Sequence, residues 1–291
     1  MDPVNRSLIN LHITVMVLGG TALFSRLIPL SAIDITFGRS VTAFICLTAV
    51  VYISGQRLAL DNKKDYLIGI GLGVFMAAHW VTYFMSMQYA SVSVGIIALF
   101  TFPVITVFLE PLFEKMKIAW QDALSALVVL FGIYLIVPSI SLEDDVTLGV
   151  IIGILSAFLY AMRNLMHRKY FSKYSGVKAM AWQTMIVCPC VIWLVSKQTL
   201  SLNISMHTVF LLLLLGTVFT ALPHSLIASS LKHLRAKTFA LVSCMQPLYG
   251  VIFAIIILKE VPSWQTVVGG TLVISAALYE TVNTHRERRR Q

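Results

Sequence analysis

The amino-acid sequence predicts an all-α integral membrane protein with ten transmembrane helices, arranged as two inverted five-helix repeats. Three observations carry this prediction: the apolar composition, the distribution of charge between the loops, and an internal repeat. Of the 291 residues, 58% are hydrophobic and only 12% are charged. Soluble domains carry roughly a quarter charged residues. Lipid offers no partners for backbone N–H and C=O groups, so the spanning segments are expected to be helices.

Ten apolar segments have the length of about 20 residues that a helix needs to cross a hydrocarbon layer of about 30 Å. The first follows Arg6 and has full membrane length, so we interpret it as a retained span and not as a secretory signal. The connections between segments are short, which predicts that no soluble domain is inserted. The predicted spans are 8–28, 33–53, 66–86, 90–110, 118–138, 148–169, 177–196, 206–229, 237–258 and 263–282.

The net charge of +9 lies mainly on one side of the predicted membrane. Most of the 22 Lys and Arg residues fall in the loops and tail on the N-terminal side, whereas Arg26, Lys197 and Lys259 fall on the other side. This positive-inside pattern predicts a multi-pass membrane protein with both termini in the cytoplasm. We therefore interpret the basic surplus as a topology signal and as a contact for membrane lipids, and expect no nucleic acid as a partner.

The two halves of the chain repeat one pattern. Trp120 follows Pro103 by the same interval at which Trp264 follows Pro247. Each half holds five predicted spans, an odd number, so the halves must have opposite orientations. We divide the chain into a first repeat, 1–145, and a second repeat, 146–291, which ends in the basic cytoplasmic tail. Inverted repeats place a substrate near the midplane, where it can be reached from either side in turn.

Several sequence features follow one another in a characteristic order and spacing along the chain. The first span contains the glycine pair Gly19-Gly20, and the second opens with the stretch from Asp34 to Arg39. Spans four and nine each contain a proline followed by an adjacent acidic and lysine residue: Pro103 with Glu114-Lys115, and Pro247 with Lys259-Glu260. In these features the chain resembles the drug/metabolite transporter superfamily, specifically its EamA-type ten-span exporters. The resemblance implies efflux of amino acids, other metabolites or drugs across the bacterial inner membrane. Gln183 stands where span two has Arg39, which leaves the substrate open.

Polar residues inside the predicted spans fall on shared helical faces, which would be costly against lipid. We predict that these residues line a central substrate cavity and that two prolines bend their helices for gating. An alternative for the single polar residues is interhelical hydrogen bonding, worth about 0.6–2 kcal/mol per contact. The predicted cavity residues are His79, Trp80, Tyr83, Tyr160, Arg163, Asn164, Trp182, Gln183, His224 and Gln246, and the predicted bends are Pro103 and Pro247.

The two arginines within the spans have separate interpretations. For Arg163, snorkelling of the long side chain to the interface and contact with a substrate carboxylate both stay open. For Arg39 we expect an ion pair with Asp34. The sequence places no Asp or Glu at mid-membrane depth, so the cavity is predicted to be neutral to positive. Such a cavity suits zwitterions or anions, and amino acid transport by alternating access is the predicted function.

Several alternatives remain. An uptake carrier or exchanger on the same fold, for example for a nucleoside-like or cofactor metabolite, is the second interpretation of function. Because an unperturbed histidine titrates near physiological pH, His79 and His224 leave proton coupling open, and a monomer and a homodimer are both open as well. An intramembrane enzyme would need paired aspartates or a Ser/His constellation in the spans, which we do not find. A haem protein would need two facing histidines.

We expect neither cofactor nor metal. The two cysteines of Cys188-Pro189-Cys190 lie two residues apart on a predicted helix and therefore face different ways, and metal sites need more ligands than two. We interpret the cysteines as small packing residues of the spans.

The charge distribution generates a prediction about topology. A periplasmic phosphatase fused after residue 145 should be active, and the same reporter fused after residue 291 should be inactive, because an even number of spans returns the chain to the cytoplasm. A green fluorescent reporter at the two sites should give the reverse pattern. Phosphatase activity at the C-terminal fusion would contradict the topology.

Overall fold

A computed structural model describes residues 3–113, 120–137, 141, 143–201, 203–223, 226, 242–243 and 245–287. Within these residues the protein is helical, without β-strands, and helical structure lies at all ten predicted span positions. The helices long and apolar enough to cross a membrane are Ala32–Ile53, Lys63–Tyr89, Val92–Leu112, Asp145–Tyr170 and Gly176–Leu194. The shorter apolar helices are Trp120–Ile136, Met206–Ala221, Gln246–Leu258 and Trp264–Tyr279.

Several predicted spans consist of more than one helical piece, which we number in chain order. The helices are α1 (Pro3–Gly20), α2 (Phe24–Leu27), α3 (Ala32–Ile53), α4 (Lys63–Tyr89), α5 (Val92–Leu99), α6 (Phe102–Leu109), α7 (Trp120–Ile136), α8 (Asp145–Tyr170), α9 (Gly176–Val191), α10 (Lys197–Leu200), α11 (Met206–Gly216), α12 (Gln246–Leu258) and α13 (Trp264–Glu287). A π-helical turn, Thr217–Ala221, continues α11.

Serine and aspartate side chains fix where many of these helices begin. In each case the side-chain oxygen accepts a hydrogen bond from the backbone N–H three residues further on, which satisfies one of the four free donors of a helix N-terminus. The caps of this kind lie before α3, α5, α8, α9, α10 and α11 and are Ser31, Ser91, Asp144, Ser175, Ser196 and Ser205.

Helices α3 and α9 pack against each other in antiparallel orientation. At one end, the Asp34 carboxylate at the start of α3 accepts a 2.9 Å hydrogen bond from the Ser196 N–H beyond the end of α9. At the other end, the Ser175 hydroxyl that caps α9 donates to the Gln56 side-chain oxygen, 2.8 Å away and just beyond α3. The buried side chains between them include Leu47 of α3.

Helices α7 and α13 also cross in antiparallel orientation, through two glycines. A methyl group added to Gly132 would lie 2.8 Å from the Gly269 carbonyl oxygen, with Val273 and Leu272 beside it. A methyl group on Gly269 would in turn meet the Gly132 carbonyl oxygen and Ile136. Since the obstructing atoms are backbone oxygens, only glycine permits the two helices to approach this closely.

The outer surface of the bundle is apolar, as a lipid environment requires. On α7 the exposed large side chains recur along one face, with Leu127 63% and Tyr134 64% exposed, whereas Val129 and Ile133 are buried. The long apolar helices and this lipid-facing surface together give a multi-pass membrane protein.

The glycine crossing generates a prediction about stability. Gly132→Ala and Gly269→Ala should each lower the free energy of unfolding by about 1–3 kcal/mol, because overpacking forces the backbones apart. Thermal unfolding of the purified protein in detergent, followed by helical circular dichroism, measures this loss. Gly71→Ala is the matched control, since its added methyl group would meet only the flexible end of Met166 at 3.6 Å. The crossing would be refuted if all three variants unfolded at the wild-type temperature.

Candidate functional site

His79 of α4 lies at the centre of a buried cluster between α4 and α8. Its Nδ1 is 2.8 Å from the Ser156 hydroxyl and 3.1 Å from the Ser156 carbonyl oxygen, and the hydroxyl donates to the His79 carbonyl oxygen at 3.0 Å. The ring stacks on Tyr160 at 4.7 Å and on Tyr83 at 5.9 Å between centroids. His79 is only 4% exposed, so one face of each helix is fixed by a polar contact inside the bundle.

An interrupted helix adds another ring to this cluster. Helix α5 ends at Leu99, and α6 begins at Phe102 after the non-helical residues Phe100 and Thr101. Pro103 is the second residue of α6 and has no N–H to donate back to the preceding turn, so a helix break is expected there. Phe102 then packs edge-on against Tyr160, with 5.0 Å between centroids.

Arg39 of α3 is 3% exposed and is bound by neutral groups. Its Nε donates a 2.8 Å hydrogen bond to the Thr220 hydroxyl, and its guanidinium carbon lies 3.9 Å from the centroid of the Trp80 ring. The expected ion pair with Asp34 was therefore wrong, because Asp34 instead accepts from Ser31 and from Ser196. Residues five apart on an α-helix are separated by about 140° around its axis, so the two side chains leave different faces.

The π-helical turn at Thr217–Ala221 presents Thr220 to Arg39. The Thr220 hydroxyl donates its own proton to the Leu215 carbonyl oxygen at 2.7 Å, which leaves its lone pairs free to accept from the guanidinium. Turns of this kind widen a helix locally and are frequent at functional sites. Gly216 lets this segment approach α3, since a methyl group there would lie 2.9 Å from the Arg39 carbonyl oxygen.

Arg163 of α8 points into the bundle and does not snorkel to an interface. Its Nε donates to the Gln183 side-chain oxygen at 2.6 Å, and its Nη1 donates to the Asn164 side-chain oxygen at 2.8 Å. Gln183 is completely buried on α9, and its Nε2 donates to the Ala179 carbonyl oxygen at 2.9 Å, which turns the amide oxygen towards Arg163. Arg163 is therefore held in place by two neutral amides.

The structure groups some of the predicted cavity residues and separates others. Trp182 donates to the Leu58 carbonyl oxygen at 2.7 Å and packs edge-on against Tyr66, away from the His79 cluster. Adjacent helical residues point about 100° apart, so Trp182 and Gln183 cannot share one direction. Gln246 is half-buried at the start of α12, where its carbonyl oxygen lies against Gly19. His224 lies outside the described residues.

Hydrogen bonds close the bundle at the end formed by 54–62 and 171–175, which we call the basic face. Lys173 lies 2.7 Å from the Asp65 carboxylate and 3.1 Å from that of Asp61, and Tyr174 donates to Asp65 at 2.8 Å. The hydrogen bond to Asp65 is the main cause of a raised pKa at Lys173, which therefore stays charged through the physiological range.

The other end of the bundle, formed by 28–31, 90–91 and 259–263, is called the opposite face. Here the Glu260 carboxylate accepts from the backbone N–H groups of Val92 and Ser93, at 2.9 and 3.2 Å, and so stabilises the start of α5. Gln88 donates to the Leu30 carbonyl oxygen at 2.9 Å. A pocket of about 270 Å³ lies beside this contact, between the start of α3 and the end of α4.

The cluster offers a small molecule aromatic rings and two guanidinium groups between helices, that of Arg39 buried and that of Arg163 half-buried. Among the described residues, no group of three or more His, Cys, Asp or Glu side chains could hold a metal ion. The cavity residues predicted from the sequence include Arg163 but not Arg39, Phe102, Ser156 or Thr220. A charged residue inside an apolar span was the signal that could have added Arg39 to the site.

The comparisons with known proteins give a family match and a fold match. A model of the EamA-like transporter family matches residues 6–137 and again 147–279. The uncharacterized transporter YxxF of Bacillus subtilis (strain 168) is 27% identical over 55% of this chain and 53% of its own length, so the chain spans about half of that relative. An uncharacterized transporter of Archaeoglobus fulgidus is 24% identical over 85% of this chain and 87% of its own length. A protein crystal structure shares the fold, with a TM-score of 0.64 and 13% identity over 97% of this chain and 98% of its own.

Proposed function

Because the chain belongs to the EamA-like transporter family, we propose that it exports small metabolites by alternating access, with amino acids or related zwitterionic or anionic compounds as substrates. The family identifies a membrane transporter and not an enzyme. A small-molecule substrate and a lipid environment follow from that membership. The proposal includes the direction of transport, which is export, and the substrate class. It also includes the location in the bacterial inner membrane with both termini in the cytoplasm.

The buried polar and aromatic cluster is the observation that carries this proposal. Its side chains come from α3 and α4 of the first half and from α8 and α9 of the second, so the two halves meet at one site. Polar groups in a lipid-embedded bundle are expensive, and they mark substrate pathways in transporters. The His79 ring is packed against Tyr160 of the other half, so a relative movement of the halves would change this site.

The packing of equivalent helices supports inverted repeats. The pairs α3 with α9, and α7 with α13, each join corresponding spans of the two halves, and each pair is antiparallel. Helices α5 and α12 give a third such pair, since Val92 of α5 meets Glu260 beyond the end of α12 while Ile96 meets Gly250. Corresponding spans of opposite direction are what two halves related by an axis in the membrane plane would have.

The function predicts a change in the medium around expressing cells. Overexpression should raise the concentration of one or a few amino acids or related metabolites in the medium, measured by mass spectrometry against an empty vector. His79→Ala should abolish the increase, because it removes the ring at the centre of the cluster. Tyr134→Ala, on the exposed face of α7, is the matched control and should export normally. Depletion of a metabolite from the medium would instead identify an uptake carrier.

The prolines predict how access alternates. Pro103 and Pro247 are each the second residue of a helical segment, and each lies in span four or nine of its half. We expect Pro103→Ala and Pro247→Ala to bias the transporter towards opposite facing states, because the halves are inverted and alanine allows each span to straighten. Cysteine-labelling accessibility from each side of the membrane measures the bias.

A matched control and a clear failure exist for this experiment. Pro262→Ala changes a proline in the connection before α13 and should leave accessibility unchanged. If Pro103→Ala and Pro247→Ala shifted accessibility in the same direction, or if neither shifted it while transport persisted, the prolines would have no gating role.

A further inference from the structure

We propose that Arg39 and Arg163 are two binding stations for one carboxylate group, and that the substrate is a small organic carboxylate of net negative charge. This assignment rests on the proposed function and narrows its substrate class. It also adds Arg39 and Thr220 to the residues that contact the substrate path. The argument begins with the hydrogen-bonding state of each guanidinium group.

Arg39 has a donor that the protein leaves unused. The side chain is 97% buried, and its Nη1 is inaccessible and makes no hydrogen bond to any described residue. Its described partners are the Thr220 hydroxyl at Nε and the face of the Trp80 ring, both of which are neutral. A buried cation without an anionic partner is strongly destabilising, whereas a carboxylate on a free guanidinium donor forms a strong charge-assisted hydrogen bond.

Arg163 is likewise uncompensated in charge. Gln183 and Asn164 satisfy its Nε and Nη1 but bring no negative charge, and its remaining nitrogen lies 4.0 Å from the Met180 sulfur. Among the described residues, neither Arg163 nor Arg39 forms an ion pair, although Arg168 and Lys173 do. Arg39 lies over Trp80, the neighbour of His79 on α4. Arg163 follows Tyr160, which stacks on His79, by about one helical turn, so both arginines adjoin the central cluster.

The two arginines occupy corresponding places in the two halves. Arg39 is the eighth residue of α3, and Gln183 is the eighth residue of α9, the antiparallel partner of α3. Gln183 holds Arg163, which is itself the eighth residue from the end of α8. The second half therefore has no arginine at the position equivalent to Arg39. Instead, Arg163 of α8 binds the glutamine that occupies this position. Arg39 lies near the end of α3 that adjoins the opposite face, and Arg163 lies near the end of α8 that adjoins the basic face.

The acidic groups argue against a zwitterion or a cation as substrate. An ammonium group inside the bundle would require a carboxylate partner. The buried carboxylates of Asp34, Asp65 and Glu110 are already bound by other groups of the protein. Asp34 is bound by Ser31 and Ser196, and Asp65 by Lys173 and Tyr174. Glu110 pairs with Arg168 at 2.6 Å on the basic face. An anion, by contrast, finds two positive charges and an unused donor.

The rings around the two stations fit the body of such an anion. Tyr83, His79, Tyr160 and Phe102 form a continuous row of ring contacts, and Trp80 lies beside it under Arg39. A planar or apolar carbon skeleton can slide along this row while its carboxylate passes from one guanidinium to the other. The rings carry no charge, so the carbon skeleton of the substrate needs no charged group besides the carboxylate.

Four probe compounds of similar size differ in charge, so their affinities show which charge class of substrate the site prefers. The probes are 3-phenylpropanoate (an anion), phenylalanine (a zwitterion), phenethylamine (a cation) and phenyl phosphate (a second kind of anion). Binding to the purified full-length protein in nanodiscs is measured by calorimetry and by the thermal unfolding midpoint. We expect 3-phenylpropanoate to bind about tenfold or more tightly than the other three, because one charge-assisted contact has that magnitude.

Variants test whether the arginines are responsible. Arg39→Gln and Arg163→Gln should each weaken binding of 3-phenylpropanoate by about tenfold or more. Arg57→Gln removes the same charge from an exposed loop and should bind like the wild type. If Arg39→Gln does not fold, Arg39→Lys retains the charge but loses the planar fork, and it should weaken binding while preserving helical circular dichroism.

The outcomes distinguish this assignment from the proposed function. Equal or tighter binding of phenylalanine or phenethylamine would overturn the anion assignment, and tighter binding of phenyl phosphate would overturn the carboxylate. Loss of binding in Arg57→Gln equal to that in Arg39→Gln, or no binding of 3-phenylpropanoate at all, would also overturn it. A protein that binds 3-phenylpropanoate through Arg39 but moves no metabolite across the membrane would instead refute the proposed transport.

Discussion

The exclusion of water from the hydrocarbon layer is the constraint on which the rest of this structure depends. A polar group within the spans can find a partner only inside the bundle, and the protein supplies several such partners in pairs across helices. His79 with Ser156, Arg39 with Thr220 and Arg163 with Gln183 each join two spans. The same contacts that satisfy hydrogen bonds therefore hold the helices in register and gather the candidate site in one place.

Irregular helical segments supply what regular helices cannot. The interruption at Phe100–Thr101 places Phe102 against Tyr160, and the π-helical turn places Thr220 under Arg39. In each segment one polar side chain faces the protein and not lipid, since Thr101 and Thr220 are almost completely buried. Backbone irregularity in a membrane is tolerated where other protein groups satisfy it, and these are the positions at which the two halves meet.

Close approach of backbones supplies the cohesion between the halves. Lipid is as apolar as leucine, so helices in a membrane associate through packing and not through the hydrophobic effect. Gly132 and Gly269 let α7 and α13 touch at their carbonyl oxygens, and Gly19 with Gly250 does the same for α1 and α12. Small residues at these crossings therefore add close backbone packing to the polar contacts that hold the helices in register.

The sequence by itself determined the helical membrane class, because span length and apolar composition are local properties of the chain, and it indicated the family through the order and spacing of its motifs. It also indicated His79, Tyr83, Tyr160 and Arg163, since each breaks the apolar pattern of its span. Only the tertiary structure decided which polar groups meet. Arg39 bonds to Thr220 and not to Asp34, which is nearer in the sequence. Trp182 points away from the His79 cluster, whereas its neighbour Gln183 binds Arg163. The physical reason is that these partners lie on different spans, and helical period fixes the direction of a side chain but not the helix that it faces.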